Sequence, residues 1–149
     1  MKPFVVLSPL HKASRQVQIF MSARCKPYGV STVEAHLLGY CQGRGACPIF
    51  ELQRVLGERK STLTAMLDRL EERKLVVRRP NPEDRRSWLV STTAKGTALA
   101  AKLRREYEAL EASLLEGIGA RDLAGFTAVA ARIGEVTGVN VRARQTRAR

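Results

Sequence analysis

Two adjacent arginines, Arg85 and Arg86, follow a short segment that contains Pro80 and Pro82. A guanidinium group is planar, permanently charged and carries a fork of N–H donors, so it binds phosphate and suits the electronegative minor groove of DNA. Proline cannot donate a hydrogen bond to a sheet, so the two prolines predict a stiff loop. The segment therefore predicts a rigid, positively charged loop that contacts duplex nucleic acid, with Arg78 and Arg79 at its base.

Asp84 lies beside these arginines, although a carboxylate repels phosphate. A useful role for it would be to accept a hydrogen bond from Arg86 and so fix the direction of that side chain. The alternative is a charged loop in solvent, in which Asp84 is an ordinary turn residue. The coincidence of the arginines with a predicted hairpin favours the first interpretation.

The chain on either side of the loop has the patterns of two strands and a helix. Residues 75–79 and 87–92 are rich in apolar and β-branched types, which predicts a β-hairpin. The hairpin directly follows a predicted helix at residues 60–74. The apolar face of that helix comprises Leu63, Met66, Leu67 and Leu70.

A short helix at residues 49–56 precedes this one, and only residues 57–59 separate the two. Two helices joined by so tight a turn containing glycine are typical of a helix-turn-helix. Opposite its apolar face, the second helix carries small and polar side chains, which allow its backbone to approach the floor of the major groove. The alternative is an ordinary solvated face, because hydroxyl groups are also common at helix starts for capping.

We predict that the second helix and the hairpin contact DNA together. Hydroxyl and cationic side chains bond to base edges or phosphates, and a helix N-terminus attracts phosphate. The predicted DNA-binding residues are Arg59, Lys60, Ser61, Thr62, Thr64, Arg79, Asp84, Arg85 and Arg86.

Further helices are predicted before and after this region. Ser31 and Glu34 form a capping box that opens one of them. Residues 10–23, 94–116 and 122–136 have amphipathic helical patterns. The stripe of the long helix at 94–116 is close to a heptad, so it needs a partner, which is either a second subunit or the chain's own first helix.

The composition favours an anionic partner. The chain has 149 residues, 44% of them hydrophobic, and a formal net charge of +12. Nucleic acid or an anionic membrane surface attracts such a charge, and a merely soluble basic surface is the alternative. The N-terminus lacks the apolar run of a signal peptide, and no run approaches a spanning helix. We therefore expect a cytoplasmic protein of a bacterium or archaeon, associated with the nucleoid.

The three cysteines, Cys25, Cys41 and Cys47, are odd in number and lack CxxC spacing, which predicts free thiols. Cys25 lies between two cations, so it is the candidate for a reactive thiolate, and the favoured alternative is an unreactive thiol. The sequence contains no phosphate-binding glycine loop and no nucleophile elbow, which argues against an enzyme. No cofactor and no metal ion are expected.

These motifs together resemble the MarR family of bacterial transcriptional regulators. The resemblance is carried by Glu51-Leu52, Leu56-Gly57, Ser61-Thr62-Leu63-Thr64, Leu67-Asp68-Arg69-Leu70-Glu71, Leu75-Val76, Arg78-Arg79-Pro80, Pro82-Glu83-Asp84-Arg85-Arg86, Leu89-Val90-Ser91, Thr93 and Gly96. It is dense over about 45 residues, and the helix order agrees across nearly the whole chain. Three departures are Arg59, where the family often has a Ser or Thr cap, Lys74, where a Gly is common, and Thr92, where a leucine is usual. Ala65 also stands where an arginine is frequent, so no base-reading role is carried over to it.

The resemblance implies a mainly α fold with a small β-hairpin wing, that is, a winged helix-turn-helix with a helical dimerisation region. It implies Arg86 as the minor-groove arginine, supported by Asp84. It also implies a homodimer that binds a pseudo-palindromic operator, acts as a repressor and is released by a small aromatic or anionic ligand. Phe20, Arg24, Tyr40 and Tyr107 are candidates to line a pocket for that effector.

In this interpretation residues 1–149 form one regulator unit. Residues 31–93 are the DNA-binding lobe, residues 8–26 and 94–137 are dimerisation helices, and residues 138–149 form a mobile basic tail. Two other functions stay open. One is a winged-helix module that docks onto protein, and the other is a regulator that senses oxidants through Cys25.

Overall fold

Six α-helices and three short strands make up residues 4–139, the part of the chain that the structure, a computed structural model, describes. In chain order the elements are α1 (Leu7–Cys25), α2 (Thr32–Arg44), β1 (Cys47–Pro48), α3 (Ile49–Leu56), α4 (Lys60–Glu72), β2 (Val76–Pro80), β3 (Trp88–Thr92), α5 (Ala94–Leu115) and α6 (Ala120–Thr137). A 3-10 turn at Lys26–Tyr28 joins α1 to α2. The predicted fold class, mainly α with a small β-hairpin wing, is confirmed.

The predicted helix boundaries agree with the observed ones to within three residues. Helix α3 has the predicted limits. Helix α1 begins at Leu7, earlier than predicted, because Pro9 lies in the first turn, where a backbone N–H has no partner within the helix. The capping box at the start of α2 is present, with the Ser31 hydroxyl and the Glu34 carboxylate each accepting the other residue's backbone N–H.

The sheet is antiparallel, with strand order β1-β3-β2. Strands β2 and β3 form the predicted hairpin, in register from Val76 opposite Thr92 to Pro80 opposite Trp88. Strand β1 was not predicted, because two residues are too few to show an alternating pattern. It pairs Cys47 with Val90, so the base of the hairpin is joined to the segment that leads into α3.

The core lies among α2, α3, α4, the sheet and the first half of α5. All four residues of the predicted α4 stripe are buried. Leu37 and Leu38 of α2 and Leu52 of α3 are fully buried beside them. The helix-turn-helix is therefore held on one continuous apolar core.

A close junction joins α4, β2 and α5. Helix α4 ends in a Schellman motif, in which the N–H of Leu75 donates to the Leu70 carbonyl and Lys74 takes a left-handed conformation with φ of 58°. The Thr93 hydroxyl accepts the Gly96 N–H and so caps α5. A Cβ on Gly96 would lie 1.8 Å from the Leu75 carbonyl oxygen, so only glycine allows α5 to approach this closely.

The outer helices, by which we mean α1, α6 and the second half of α5, are much less buried than the helices of the core. Only Met21 and Cys25 of α1 are buried, and α6 has no buried residue. The predicted basic tail lies outside the described residues, apart from Gly138 and Val139. Among the residues described, no helix is long and apolar enough to cross a membrane.

Candidate nucleic-acid interface

The predicted contact residues of α4 lie on its first two turns and are exposed. Lys60, Ser61, Thr62 and Thr64 occupy the helix, and Arg59 is the N-cap residue. The Arg59 side chain makes no capping hydrogen bond, so the first N–H groups of α4 have no capping side chain and can donate to an anion. The Thr64 hydroxyl donates to the Lys60 carbonyl at 2.9 Å, which leaves its oxygen lone pairs as acceptors.

The wing presents Arg79, Asp84, Arg85 and Arg86 at the surface. Within residues 4–139, none of these three arginines forms an ion pair, whereas seven other arginine–carboxylate contacts are present. The unpaired arginines keep their donors free for phosphate or base edges.

Hydrogen bonds within the loop hold the wing tip. The Asn81 side chain donates to the Ser87 hydroxyl at 2.9 Å and accepts the Glu83 N–H at 3.0 Å. The Ser87 N–H donates to the Asp84 carbonyl at 2.9 Å. The loop is therefore fixed by its own polar groups in addition to the two prolines. Its backbone loses little conformational entropy when the arginines bind a ligand.

Asp84 differs in detail from the sequence-based expectation. Its carboxylate accepts a hydrogen bond from the backbone N–H of Arg86 at 3.0 Å, an Asx-type turn contact. The expectation was a bond that directs the Arg86 side chain. The Asp84 side chain thus shapes the backbone of the tip and orients Arg86 indirectly.

Arg78 fastens the wing to α4 and was missed as a positioning residue. Its guanidinium contacts Asp68 at 2.8 Å and forms a two-pronged contact with Glu71, from which its Nε lies 2.8 Å away. The backbone N–H of Arg78 also donates to the Glu71 carboxylate at 3.1 Å. The Arg78 guanidinium lowers the pKa of the Glu71 carboxyl, and Glu71 raises the pKa of Arg78, so both groups stay charged at neutral pH.

These contacts of Arg78 with Asp68 and Glu71, which we call the clamp, place the surface of α4 beside the base of the wing. Thr64 of α4 and Trp88 of β3 line one shallow cleft with Arg78 and Glu71. No sequence signal distinguishes Arg78 from Arg79, because the carboxylates that bind Arg78 become neighbours only after folding. The roles of Asn81 and Ser87 could have been suspected, since asparagine and serine favour turns that bond to nearby backbone.

Cys25 does not have the environment of a reactive thiol. Its side chain is fully buried, and burial, with Glu106 nearby, raises the pKa of the thiol. The expectation that Arg24 and Lys26 stabilise a thiolate is wrong, because the Arg24 guanidinium is directed to Glu106 and the Phe20 ring. Cys41 and Cys47 are buried free thiols, and the Cys47 thiol donates a hydrogen bond to the Gly45 carbonyl at 3.4 Å.

The chain shares its sequence pattern with known regulators. The family model described as the MarR family matches residues 28–87. The multiple antibiotic resistance protein MarR of Salmonella typhimurium is 30% identical over 119 residues, which are 79% of this chain and 70% of the relative. This chain belongs to the MarR family. A further relative, the HTH-type transcriptional regulator MhqR of Bacillus subtilis, is 23% identical over 134 residues, 90% of each chain.

Solved structures share the fold. The Staphylococcus aureus MepR–DNA complex superposes with a TM-score of 0.81 at 16% identity, over 91% of this chain and 99% of that one. A variant of Escherichia coli MarR complexed with operator DNA gives 0.74 at 24% identity, over 87% and 94% of the two chains. The arrangement of α3, α4 and the β2–β3 hairpin is therefore the winged helix-turn-helix of MarR proteins. The chain is a MarR-family transcriptional regulator, and the prediction that it is not an enzyme is confirmed.

Proposed function

We propose that the protein is a homodimeric repressor that binds a pseudo-palindromic operator. In each subunit α4 enters the major groove and the wing reaches the neighbouring minor groove with Arg86. A bound dimer blocks transcription by occupying the operator, and an effector releases it by shifting the dimer to a state with a different spacing of the two α4 helices.

The observation that supports DNA binding is an ion-pair cluster that joins the wing to α4. Within residues 4–139 the wing holds unpaired arginines on an internally bonded loop, and Arg78, at the base of the wing, is ion-paired with Asp68 and Glu71 in the second half of α4. Preorganisation lowers the entropy cost of binding, so cations held this way contribute more than cations on a flexible tail. The solved DNA complexes of MepR and E. coli MarR, which have the same fold, support this use of the surface.

The observation that supports dimerisation is the apolar surface left open on the outer helices. Phe126 is 65% exposed and Val136 is 68% exposed on α6, and Ile19 of α1 is 58% exposed. Leu114 and Leu115 at the end of α5 are also exposed. Exposed apolar patches of this kind mark protein interfaces, and a second copy of the chain would cover them with the same surface on both sides.

The test begins with selection of bound sequences from random duplex DNA, followed by gel-shift titration on the selected site. Binding to a two-fold symmetric site with half-sites about one helical turn apart is expected. Affinity should fall with salt at a slope near −0.9 per phosphate contacted. A protein-docking module would select no sequence and bind duplex weakly, and that result would refute the proposal.

Substitution of the wing arginine gives a sharper test. Arg86→Ala should weaken operator binding by about 1–3 kcal/mol without changing the unfolding free energy, because the side chain is exposed and makes no ion pair in the described part of the chain. Arg121→Ala, which removes an exposed cation from α6, is the matched control and should change affinity little. Equal affinity of Arg86→Ala and the parent protein would show that the wing arginine has been wrongly assigned.

A further inference from the structure

A large open cavity lies between α1, α2 and the middle of α5. Its volume is about 1020 Å³, at the upper end of the range typical of sites for small molecules. Apolar walls come from Val17 and Met21 of α1, Val33 of α2 and Leu103 of α5. Leu56, the last residue of α3, also lines the cavity, so its floor touches the helix-turn-helix directly.

The charges of this cavity are opposite to those of the chain as a whole. Two glutamates, Glu108 and Glu111, and one arginine, Arg104, line it together with His36. Arg104 is ion-paired with Glu108 one turn along the same helix, so its charge is already balanced. Within residues 4–139 Glu111 has no ion-pair partner. Arg104 and Glu108 therefore cancel, and Glu111 leaves the lining with one unbalanced negative charge in a protein of net charge +12.

Two aromatic rings complete the lining. Tyr40 and Tyr107 are both cavity residues, as the sequence suggested. Burial raises the pKa of Tyr107, so the ring remains a neutral phenol whose π face can attract a cation. The Tyr40 hydroxyl is held by Glu51, which fixes the ring. Phe20 and Arg24, the other residues suggested for an effector pocket, are not among the lining residues, which leaves Arg104 as the one arginine of the lining in the described part of the chain.

We propose that this cavity binds a planar aromatic cation, in place of the phenolic or aromatic anion that the sequence resemblance implies. The acidic groups on α5 attract the positive charge, the two tyrosine rings lie against its flat face, and the apolar walls of α1 and α5 bury the remaining surface. An anion would meet the unpaired carboxylate of Glu111, and the arginine of the lining, Arg104, is already paired with Glu108.

The cavity borders the helix-turn-helix, so a ligand bound there can change the affinity of the protein for DNA. Leu56 is followed by Gly57, with φ of 68°, and then by the start of α4 at Lys60. A ligand that displaces Leu56 therefore acts on the turn that sets the direction of α4. This coupling rests on the proposed function, whereas the binding of the cation does not.

The test compares two dyes built on one xanthene skeleton, the cation rhodamine 6G and the anion fluorescein, by fluorescence anisotropy at physiological salt and without DNA. The parent protein should bind rhodamine 6G at least about tenfold more tightly than fluorescein, since a desolvated cation–π contact and a nearby carboxylate each favour the cation. Non-specific attraction to a chain of charge +12 would give the opposite preference.

The double variant Glu108→Gln, Glu111→Gln should lose at least about fivefold in affinity for rhodamine 6G and little for fluorescein. Glu116→Gln, at the C-cap of the same helix and outside the cavity lining, is the matched control and should bind like the parent protein. All the substituted side chains are exposed, so circular dichroism should show unchanged folding. Equal or stronger binding of fluorescein, or a cation preference that survives the double variant, would overturn the proposal. Because no DNA is present, either result leaves the DNA-binding proposal untouched.

Discussion

Helices α4 and α6 carry apolar stripes of similar length, but the chain covers only one of them. Leu63, Leu67 and Leu70 of α4 are at most 1% exposed, whereas Phe126 and Val136 of α6 are 65% and 68% exposed. The two stripes look alike in the sequence, since both follow the helical period. The difference shows that a stripe predicts burial without specifying whether its own chain or a second subunit provides the cover.

The ion pairs also differ between the lobe, residues 31–93, and the outer helices. In the lobe they join separate elements, as between Arg69 and the buried Glu34, or between Arg78 and Glu71. The Arg73 guanidinium likewise donates to the carbonyls of Tyr28 and Gly29, 44 or more residues away. On the outer helices Arg104–Glu108 and Arg132–Glu135 lie within one helix, and such exposed pairs contribute little. In the described part of the chain, a single ion pair joins two of the outer helices, Arg24 of α1 with Glu106 of α5 at 3.4 Å, so the lobe has more polar cross-links than the outer helices.

The largest effect is expected at the junction between the lobe and α5. Gly96→Ala should lower the unfolding free energy by about 3 kcal/mol or more, because the new Cβ would lie 1.8 Å from the Leu75 carbonyl oxygen. Gly125→Ala on α6 meets no atom within 4 Å and should be stabilising by up to about 1 kcal/mol. Urea denaturation measures both. A Gly96→Ala protein as stable as the parent would contradict the close approach of α5.

A charge placed in the open stripe of α6 tests the other region. Phe126→Asp should weaken the dimer by about 2–4 kcal/mol, since exposed aromatic residues in an interface often dominate its energy. Sedimentation velocity should then show monomers that retain the parent's circular dichroism spectrum. Ala131→Asp, on the opposite face of α6, should remain dimeric. If Phe126→Asp dimerises as well as the parent protein, another surface covers the stripe or none does.

The clamp between the wing and α4 should show a smaller effect. Arg78→Ala should cost about 1 kcal/mol of stability, a value discounted for the partial exposure of Asp68 and Glu71, and should also weaken operator binding. The pKa of Glu71 is lowered by Arg78, so the stabilisation is present at neutral pH and is lost as the pH falls through that lowered pKa. Denaturation of both proteins across the acidic range measures this convergence.

Arg79→Ala is the control for the clamp. It removes the neighbouring arginine, which forms no ion pair in the described part of the chain, and should leave stability unchanged at every pH while still reducing DNA affinity. If Arg78→Ala and Arg79→Ala lose the same stability at neutral pH, the ion pairs of Arg78 contribute nothing measurable.

The smallest effect is expected at the end of α4. Lys74→Gly should stabilise the protein by about 0.5–1 kcal/mol, because Lys74 holds a left-handed conformation that costs little only for glycine. Glu72→Gly, two residues earlier and still within the helix, should destabilise by up to about 1 kcal/mol. Thermal melts followed by circular dichroism distinguish the two signs, and a loss of stability in Lys74→Gly would show that the conformation is not strained.

The sequence predicted the elements whose signals are local. The buried face of α4, the capping box at Ser31 and the hairpin of β2 and β3 all follow from periodicity, spacing or turn residues within about fifteen positions. The assignment of the family followed from the same segment, because its motifs are dense there. The DNA-contacting roles of the nine named residues remain predictions, although all nine lie on the exposed surface of α4 and the wing.

The features that the sequence did not predict depend on contacts between distant segments. Strand β1 exists because Cys47 reaches Val90, and Arg78 differs from Arg79 because Asp68 and Glu71 lie on its side of the sheet. Cys25 is buried because α1 packs against α2 and α5, whatever the charges of its neighbours in sequence. The acidic character of the cavity likewise arises from which face of α5 turns toward α1 and α2.

The contact between Gly96 and Leu75 has a mechanical consequence. It holds the start of α5 in close contact with Leu75, just after the end of α4. The 22 residues of α5 extend about 33 Å from that contact. A rod of this length that tilts by about 5° moves its far end by about 3 Å. A displacement of about 3 Å at the far end of α5 therefore corresponds to a rotation of only about 5° about this contact, which is small enough to leave the packing around Gly96 in place.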